Sequence, residues 1–173
     1  MKRIVCLMSL LIVGVAAWAQ KGQDFASRFM QICDGDTAVH CVTVSPKMME
    51  QLTKQPDMTG RNEHIAQAIQ KLKSARIITT SVHGEGYYQE ATQLLKRNAQ
   101  RFQPTKSYKN EHSYGSFYTR KLKSGRTVEL ILLHTDTKAR QLVIVNLTGD
   151  IDEEFINSLS KNFSGKTARL TRY

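Results

Sequence analysis

The sequence predicts an α+β fold with a single mixed, mainly antiparallel sheet of about five strands and helices packed on it. The last third of the chain carries the clearest evidence, because three β-rich runs joined by short polar turns are typical of an antiparallel meander. Before them, runs with helical apolar spacing alternate with two short β-branched runs. We place one domain at residues 20–165, with a polar C-terminal tail at 166–173 that is expected to fray.

The elements before the meander are marked by caps and by β-branched residues. Asp24 is suited to the N-cap of a first helix. Ser45-Pro46 stops a strand and starts a short helix, since proline at the first helical position loses no hydrogen bond. The predicted order is a helix from Asp24, strand 38–44, a helix from Pro46, a helix from about Asn62, strand 75–82, a break at Gly84-Glu85-Gly86 and a helix over 88–102 closed by Pro104.

The meander is predicted as three strands, at 108–122, 127–135 and 141–148. Leu130-Ile131-Leu132-Leu133 is apolar at every position, which indicates a central strand buried on both faces. A final helix follows, for which Asp150 or Asp152 is the expected cap.

The N-terminus has the three parts of a secretory signal peptide at residues 1–19. Lys2 and Arg3 precede an apolar run, and small residues then allow cleavage between Ala19 and Gln20. An uncleaved membrane anchor is the alternative, but the run is shorter than the about 20 residues that a span needs. We therefore expect a periplasmic or secreted protein with no membrane span after cleavage.

The chain is basic, with a formal net charge of +10, which the loss of Lys2 and Arg3 with the signal peptide lowers to +8. Basic proteins often bind nucleic acid. Here the cations are scattered along the chain, and the hairpin tips among them are expected at opposite ends of the sheet. Together with export, this scatter argues against a nucleic-acid partner and favours solvated faces, with at most an affinity for anionic envelope polymers.

Two cysteines, Cys33 and Cys41, remain after cleavage. In an oxidising compartment such a pair predicts a disulfide. Two buried free thiols are the main alternative. Redox or metal chemistry is disfavoured, because the spacing is not C-x-x-C and no histidine pair completes a zinc site.

No motif for catalysis or for cofactor binding is complete. His83-Gly84-Glu85 resembles half of a zinc-deaminase signature, but no cysteine follows it. Glu63-His64 lacks the second histidine of a metalloprotease helix, and G-x-S-x-G and phosphate-binding glycine loops do not occur. We therefore predict no catalytic, metal or cofactor residues and no cofactor.

The most promising binding surface is aromatic. Tyr108, Tyr114 and Tyr118 are expected on one face of the first meander strand, where they offer large contact area with polar tips. Cross-strand aromatic packing under the helix over 88–102 is the alternative. Burial of all three tyrosines under a helix would exclude this surface.

Several segments together resemble a family of small exported Bacteroidetes proteins of unknown function, many of them lipoproteins. They are Phe25 with Phe29, residues 42–49, residues 71–78 and residues 128–150. The resemblance implies an α+β envelope domain without assigned catalytic residues. The chain departs from lipidated members because it lacks a cysteine at the cleavage site.

These observations leave two functional hypotheses. The first is a non-catalytic accessory domain that binds an envelope protein or a glycan, of unknown oligomeric state. The second is an envelope-acting hydrolase whose site assembles from scattered residues. Asp36-Thr37-Ala38 also fits a short O-glycosylation pattern of exported Bacteroidetes proteins, which leaves open whether Thr37 is glycosylated.

Overall fold

The computed structural model describes residues 23–54, 63–164 and 169–172. The predicted signal peptide and its cleavage site lie outside these residues. The described part of the chain forms one seven-stranded sheet in the order β1-β2-β6-β5-β4-β3-β7, and each pair of neighbours is antiparallel. The strands are β1 Val39–Val44, β2 Leu72–Thr80, β3 Gln103–Lys109, β4 Ser113–Lys121, β5 Thr127–Asp136, β6 Gln141–Ile151 and β7 Arg169–Arg172.

Five helices of the described residues cover the two faces of this sheet. They are α1 Phe25–Ile32, α2 Pro46–Thr53, α3 Glu63–Gln70, α4 Gly84–Arg97 and α5 Glu153–Ser164. Helices α1 and α4 pack on one face, called the front, and α2, α3 and α5 pack on the other, called the back. None of these helices combines the length and the apolar character that crossing a bilayer requires. The predicted α+β fold with a single sheet is confirmed.

The central strand β5 is buried on both faces, as its apolar run predicts. Ile131 and Leu133 belong to the front core, whereas Leu130 and Leu132 belong to the back core. This division follows from the alternation of side chains along a strand. The two cores are therefore separated by the sheet itself.

Three predicted helix caps are also found. Asp24 accepts a hydrogen bond from the Ser27 amide at 2.8 Å. The Ser45 hydroxyl oxygen accepts one from the Met48 amide at 3.3 Å, directly before Pro46 begins α2. Of the two candidates for the final helix, Asp152 is the cap, and it accepts from the Phe155 amide at 2.8 Å.

The first predicted meander strand is in fact two strands, β3 and β4. The chain turns between them, where the Asn110 amide donates to the Ser113 carbonyl at 2.7 Å. Pro104, which we expected to close a helix, lies inside β3 next to a register shift. Proline is tolerated there because β7 pairs only with residues 106–109 of β3, so the missing N–H breaks no ladder bond on that side.

Helix α4 begins at Gly84, where the sequence predicted only a break. The Gly84 amide donates to the Arg140 carbonyl at 2.9 Å. A Cβ at this position would lie 2.4 Å from the backbone carbon of Gln141. Glycine is therefore required for the close approach of helix and β6, and it does not end the helix.

The predicted fraying tail also contributes to the sheet. Residues Arg169–Arg172 form β7 and pair with β3, with Leu170 opposite Tyr108. Strand β7 is thus one edge of the sheet, and β1 is the other.

Candidate functional site

The three tyrosines of the predicted binding surface do not share a face. Tyr108 lies on β3 and points to the back, where it is 3% exposed beside Phe117. Its hydroxyl shares a hydrogen bond with His134 Nδ1. Burial raises the pKa of Tyr108 far above its usual value. Tyr108 is therefore a core residue, and the expectation that it lies beside Tyr114 and Tyr118 is wrong because the chain turns before β4.

Tyr114 and Tyr118 lie on the front of β4 and are half-buried. Tyr88 of α4 packs edge-on against Tyr114, with ring centroids 4.8 Å apart, and its hydroxyl shares a 2.9 Å hydrogen bond with Ser116 Oγ. Tyr118 packs against the front core. These contacts hold α4 on β4, so aromatic packing accounts for both side chains. Their use in binding stays a prediction.

Cys33 and Cys41 are both free thiols in the structure. Cys33 ends α1 and is buried, and burial, with smaller contributions from Glu90 and Asp36, raises its pKa to about 11. A high pKa keeps the thiol protonated and unreactive at neutral pH.

Cys41 is exposed on β1. Burial is the main cause that raises its pKa; of the charges that act on it, Arg76 on β2 lowers the pKa and Asp24, the cap of α1, raises it. The structure thus contains two free thiols, only one of them buried, and does not show the predicted disulfide.

Strand β1 leaves a sheet edge bare. Within the described residues it pairs with β2 alone. Val42 is 58% exposed, and Ile77, directly opposite on β2, is 36% exposed. Val145 follows on β6 and is half-buried. We call the outer backbone edge of β1 together with Val42, Ile77 and Val145 the β1 surface; it lies on the back, beside the part of the sheet that the helices cover.

The two edges of the sheet differ in sequence. Strand β1 has six residues, Val-His-Cys-Val-Thr-Val, without lysine, arginine, aspartate or glutamate. Strand β7 has four residues, of which Arg169 and Arg172 are charged. Short, charged edge strands resist pairing with other chains, whereas uncharged β-branched edges permit it. Only β1 therefore has the features of an edge that accepts another strand.

A buried polar cluster that the sequence did not reveal lies on the front. Glu129 of β5 is 0% exposed. Its Oε1 accepts from the Phe25 amide at 2.8 Å and from Asn146 Nδ2 at 3.1 Å, and its Oε2 accepts from Arg120 Nε at 2.7 Å. Arg101 lies 4.0 Å from the same oxygen. The carboxylate is paired and hydrogen-bonded on both oxygens, as a buried charge requires.

This cluster fastens the start of α1 to the sheet. Asn146 Oδ1 accepts from the Ala26 amide at 2.9 Å, next to the Phe25 amide that Glu129 binds. With Asp24 on the Ser27 amide, the first three donors of the helix all have side-chain acceptors. The sequence does carry one signal for this burial. Glu129 lies two residues before Ile131, so the two side chains point to the same buried face of β5.

Lys106 and Ser160 form a buried lysine–serine pair, a combination that can serve nucleophilic catalysis. Lys106 Nζ lies 3.3 Å from Ser160 Oγ and also binds Asn157 Oδ1. Ser160 is 0% exposed, and its hydroxyl donates to the Asn157 carbonyl at 2.9 Å. A nucleophile must reach its substrate with a base ready to take its proton. This pair instead anchors α5 to β3.

The described histidines have separate local roles. His64 Nε2 shares a 3.0 Å hydrogen bond with Ser158 between α3 and α5. His134 stacks on Tyr108 at 6.0 Å, and burial lowers its pKa. In residues 23–54, 63–164 and 169–172, no three His, Cys, Asp or Glu side chains are grouped so as to hold a metal ion.

Comparison with known proteins gives the family and little more. A comparison with curated proteins finds no match. The solved structures that resemble the chain include a protein of unknown function, PA94, from Pseudomonas aeruginosa, with a TM-score of 0.34, 11% identity, and coverage of 73% of this chain and 78% of that one. A mutant of the protein Mog1 has a TM-score of 0.28, 12% identity, and coverage of 51% and 56%.

Neither structural likeness bears on activity at these scores. The family comparison covers most of the chain, from Cys33, the last residue before the first loop, to Leu159 in α5. It confirms the expected membership of a family of unknown function. Since residues 33–159 match the family model described as a domain of unknown function, DUF4252, the chain belongs to that family.

Proposed function

We propose that this protein is an exported, non-catalytic binding domain of the bacterial envelope and that it binds an extended segment of another envelope protein along the β1 surface. The signal-peptide pattern at residues 1–19 supports export. A glycan partner is less well supported, because Tyr114 and Tyr118 are half-buried beside α4 and do not form an open aromatic platform.

The outer edge of β1, with which no other described strand pairs, is the observation that carries the proposal. Every second residue of an edge strand points its N–H and C=O groups outward, where an added strand can bind them. Val42 and Ile77 lie beside this edge and are exposed. Main-chain hydrogen bonds would supply affinity, and these apolar side chains would select the side chains of the partner.

Charge favours a different protein over a second copy of this chain. Without Lys2 and Arg3 of the signal peptide, the formal net charge of +10 becomes +8, so two copies of the exported chain repel each other on approach. Strand β1 is uncharged, so it adds no repulsion to a neutral or acidic segment. An acidic partner is also attracted by the remaining positive charge.

A peptide-selection experiment tests the β1 surface directly. Peptides selected from a random display library on the protein are expected to be extended and to slow hydrogen exchange of the β1 amides. Val42→Lys places a charge on the edge and is expected to weaken their binding about tenfold or more. Val82→Lys is the matched control, because Val82 is 46% exposed but lies outside β1.

Two outcomes would overturn the proposal. The first is binding of the selected peptides with equal affinity to the Val42→Lys and Val82→Lys variants. The second is a dimer in sedimentation equilibrium that Val42→Lys dissociates, since the occupant would then be a second copy.

Export is tested separately by the intact mass of protein from the native cell. A chain beginning at Gln20 in the envelope or secreted fraction is the expected result. Full-length chain in the cytoplasm would contradict export, while leaving the peptide-binding result standing.

A further inference from the structure

Four cations from two distant segments of the chain meet at one end of the sheet. They line an open depression of about 370 Å³. We call it the basic depression; its charged and polar lining is Lys71, Lys73, Arg120, Arg126, Thr148 and Asp150. The expected scatter of charge is wrong for these four cations, whereas the hairpin tips between β4 and β5 and between β5 and β6 do lie at opposite ends of the sheet, as expected.

The antiparallel pairing explains why they meet. The start of β2 lies beside the end of β6, and the start of β5 lies beside the ends of β4 and β6. Gly149 has φ +147°, and a Cβ there would lie 2.5 Å from the Lys71 carbonyl oxygen. Glycine thus allows β6 to approach Lys71 closely, and the Asp150 amide donates to that carbonyl at 3.2 Å.

Most of this positive charge is only loosely neutralised. Lys73 is exposed and has no ion-pair partner in the part of the chain that the structure describes. Lys71 lies 3.7 Å from Asp152, and both side chains are about half exposed. Exposed pairs of this kind contribute only about 0–1 kcal/mol. An incoming anion can therefore compete for these cations at small cost.

The other two cations differ in how firmly they are held. Arg126 lies 3.9 Å from Asp150, with side-chain exposures of 59% and 57%. Arg120 is bound to the buried Glu129, which fixes its position at the base of the depression. A fixed guanidinium among exposed cations is suited to oxyanions, because arginine offers a planar fork of donors.

We propose that the basic depression binds a tetrahedral oxyanion, namely a sulfate or phosphate ester group carried by an envelope polymer. The depression lies at the end of the sheet, whereas the β1 surface lies along one edge, so this site does not depend on peptide binding; its envelope ligand rests on the proposed export. Two lysines and two arginines outnumber the three carboxylates near them, namely Asp150 in the lining, Asp152 beside Lys71 and the buried Glu129. Thr148 adds a hydroxyl at the wall.

Binding of dextran sulfate, measured by calorimetry with uncharged dextran as control, tests this site. The variant Lys73→Gln/Arg126→Gln is expected to weaken binding about tenfold at constant salt. Lys96→Gln/Arg97→Gln is the matched control, because it removes the same charges from the exposed last turn of α4. The control is expected to change binding less than about twofold. Inorganic pyrophosphate is a second ligand, which distinguishes a small free anion from a polymer-borne group.

Equal weakening by the two variants would overturn the proposal, because net charge alone would then explain binding. No binding of dextran sulfate by the unaltered protein would do the same. Tight binding of pyrophosphate with none of dextran sulfate would reject the polymer as the source. Unfolding curves of both variants must match that of the unaltered protein, which their exposed positions lead us to expect.

Discussion

On the front of the sheet, helix α1 is fastened by buried hydrogen bonds to its first backbone amides, whereas on the back, helix α5 combines apolar packing with side-chain hydrogen bonds from Lys106. Glu129 and Asn146 bind the first amides of α1. Phe155 and Ile156 of α5 instead pack into the back core. Directional bonds determine the position and angle of a helix, while apolar packing depends on volume and tolerates rearrangement. The two faces should therefore respond differently to substitutions of similar size.

The difference between the two helices also coincides with the N-terminal limit of the family match at residue 33. Helix α1 precedes residues 33–159, whereas its anchors Glu129 and Asn146 lie inside them. Removing α1 would leave two buried acceptors without a donor, one on the Glu129 carboxylate and one on the Asn146 carboxamide. Glu129 therefore gives the domain a specific requirement for this helix.

The largest effect is expected from Glu129→Ala. Removing one partner of a buried ion pair leaves Arg120 and the Phe25 amide without their acceptor, and such losses cost about 3–5 kcal/mol. Urea unfolding measures the change in the free energy of unfolding. Glu154→Ala, on the exposed first turn of α5, is the control and should cost less than about 1 kcal/mol. Equal losses in both variants would contradict the anchoring role of Glu129.

Substitutions that conserve volume sharpen the comparison. Glu129→Gln keeps the shape but removes the charge that Arg120 binds, and we expect a loss of about 2–3 kcal/mol. Leu132→Met in the back core keeps the volume and the apolar character, and we expect a loss below about 1.5 kcal/mol. The same unfolding measurement compares them. A larger loss for Leu132→Met than for Glu129→Gln would contradict the expectation that the hydrogen-bonded front face is the more sensitive of the two.

The sequence predicted the apolar scaffold well, because strands and helices are marked by periodicity. Leu130 to Leu133 gave the central strand, and Asp24 and Ser45 gave helix starts that the structure confirms. Long-range polar contacts leave no such mark. The residues around Glu129 in the sequence do not indicate that Phe25 and Asn146 are its partners. Likewise, Lys71 lies near Arg126 only because of the order of the strands in the sheet.

Local sequence signals gave wrong predictions where the tertiary structure overrides local preferences. Pro104 was read as a helix end although it lies in a strand, and Gly84 was read as a break although it starts a helix. Tyr108 was assigned to the strand of Tyr114 because the turn between them contains no glycine or proline. For Pro104 and Gly84 the deciding contact is with a distant segment, on β4 and β6 respectively.

Lowering the pH should reduce the stability of the protein through protonation of His134 on the back face. Burial lowers the pKa of His134 below its ordinary value of 6.5, although Asp136 acts in the opposite direction. The unfolded chain therefore binds the proton more readily, and stability present above pH 6.5 falls as the pH drops through the folded pKa. The ring faces Tyr108 and Phe163, neither of which supplies a negative charge.

Unfolding curves at pH 7.5 and pH 5.5 measure this loss, which should be smaller in His134→Gln. Thr43→Gln is the control, since Thr43 is exposed on β1 and carries no titratable group. An unaltered pH dependence in His134→Gln would show that His134 does not cause the loss of stability at low pH.

The smallest effect concerns the thiols and reports on the front face without unfolding the protein. Cys33 ends α1 in the front core with its pKa raised to about 11, whereas Cys41 is exposed on β1. Alkylation at pH 8, followed by peptide mass mapping, should therefore label Cys41 first. Since Cys33 becomes accessible when α1 detaches, Glu129→Gln should speed its labelling several-fold through local opening, whereas Leu132→Met should not. Equal acceleration by both variants would show that Cys33 reports global unfolding, and α1 would then not be an independently fastened element.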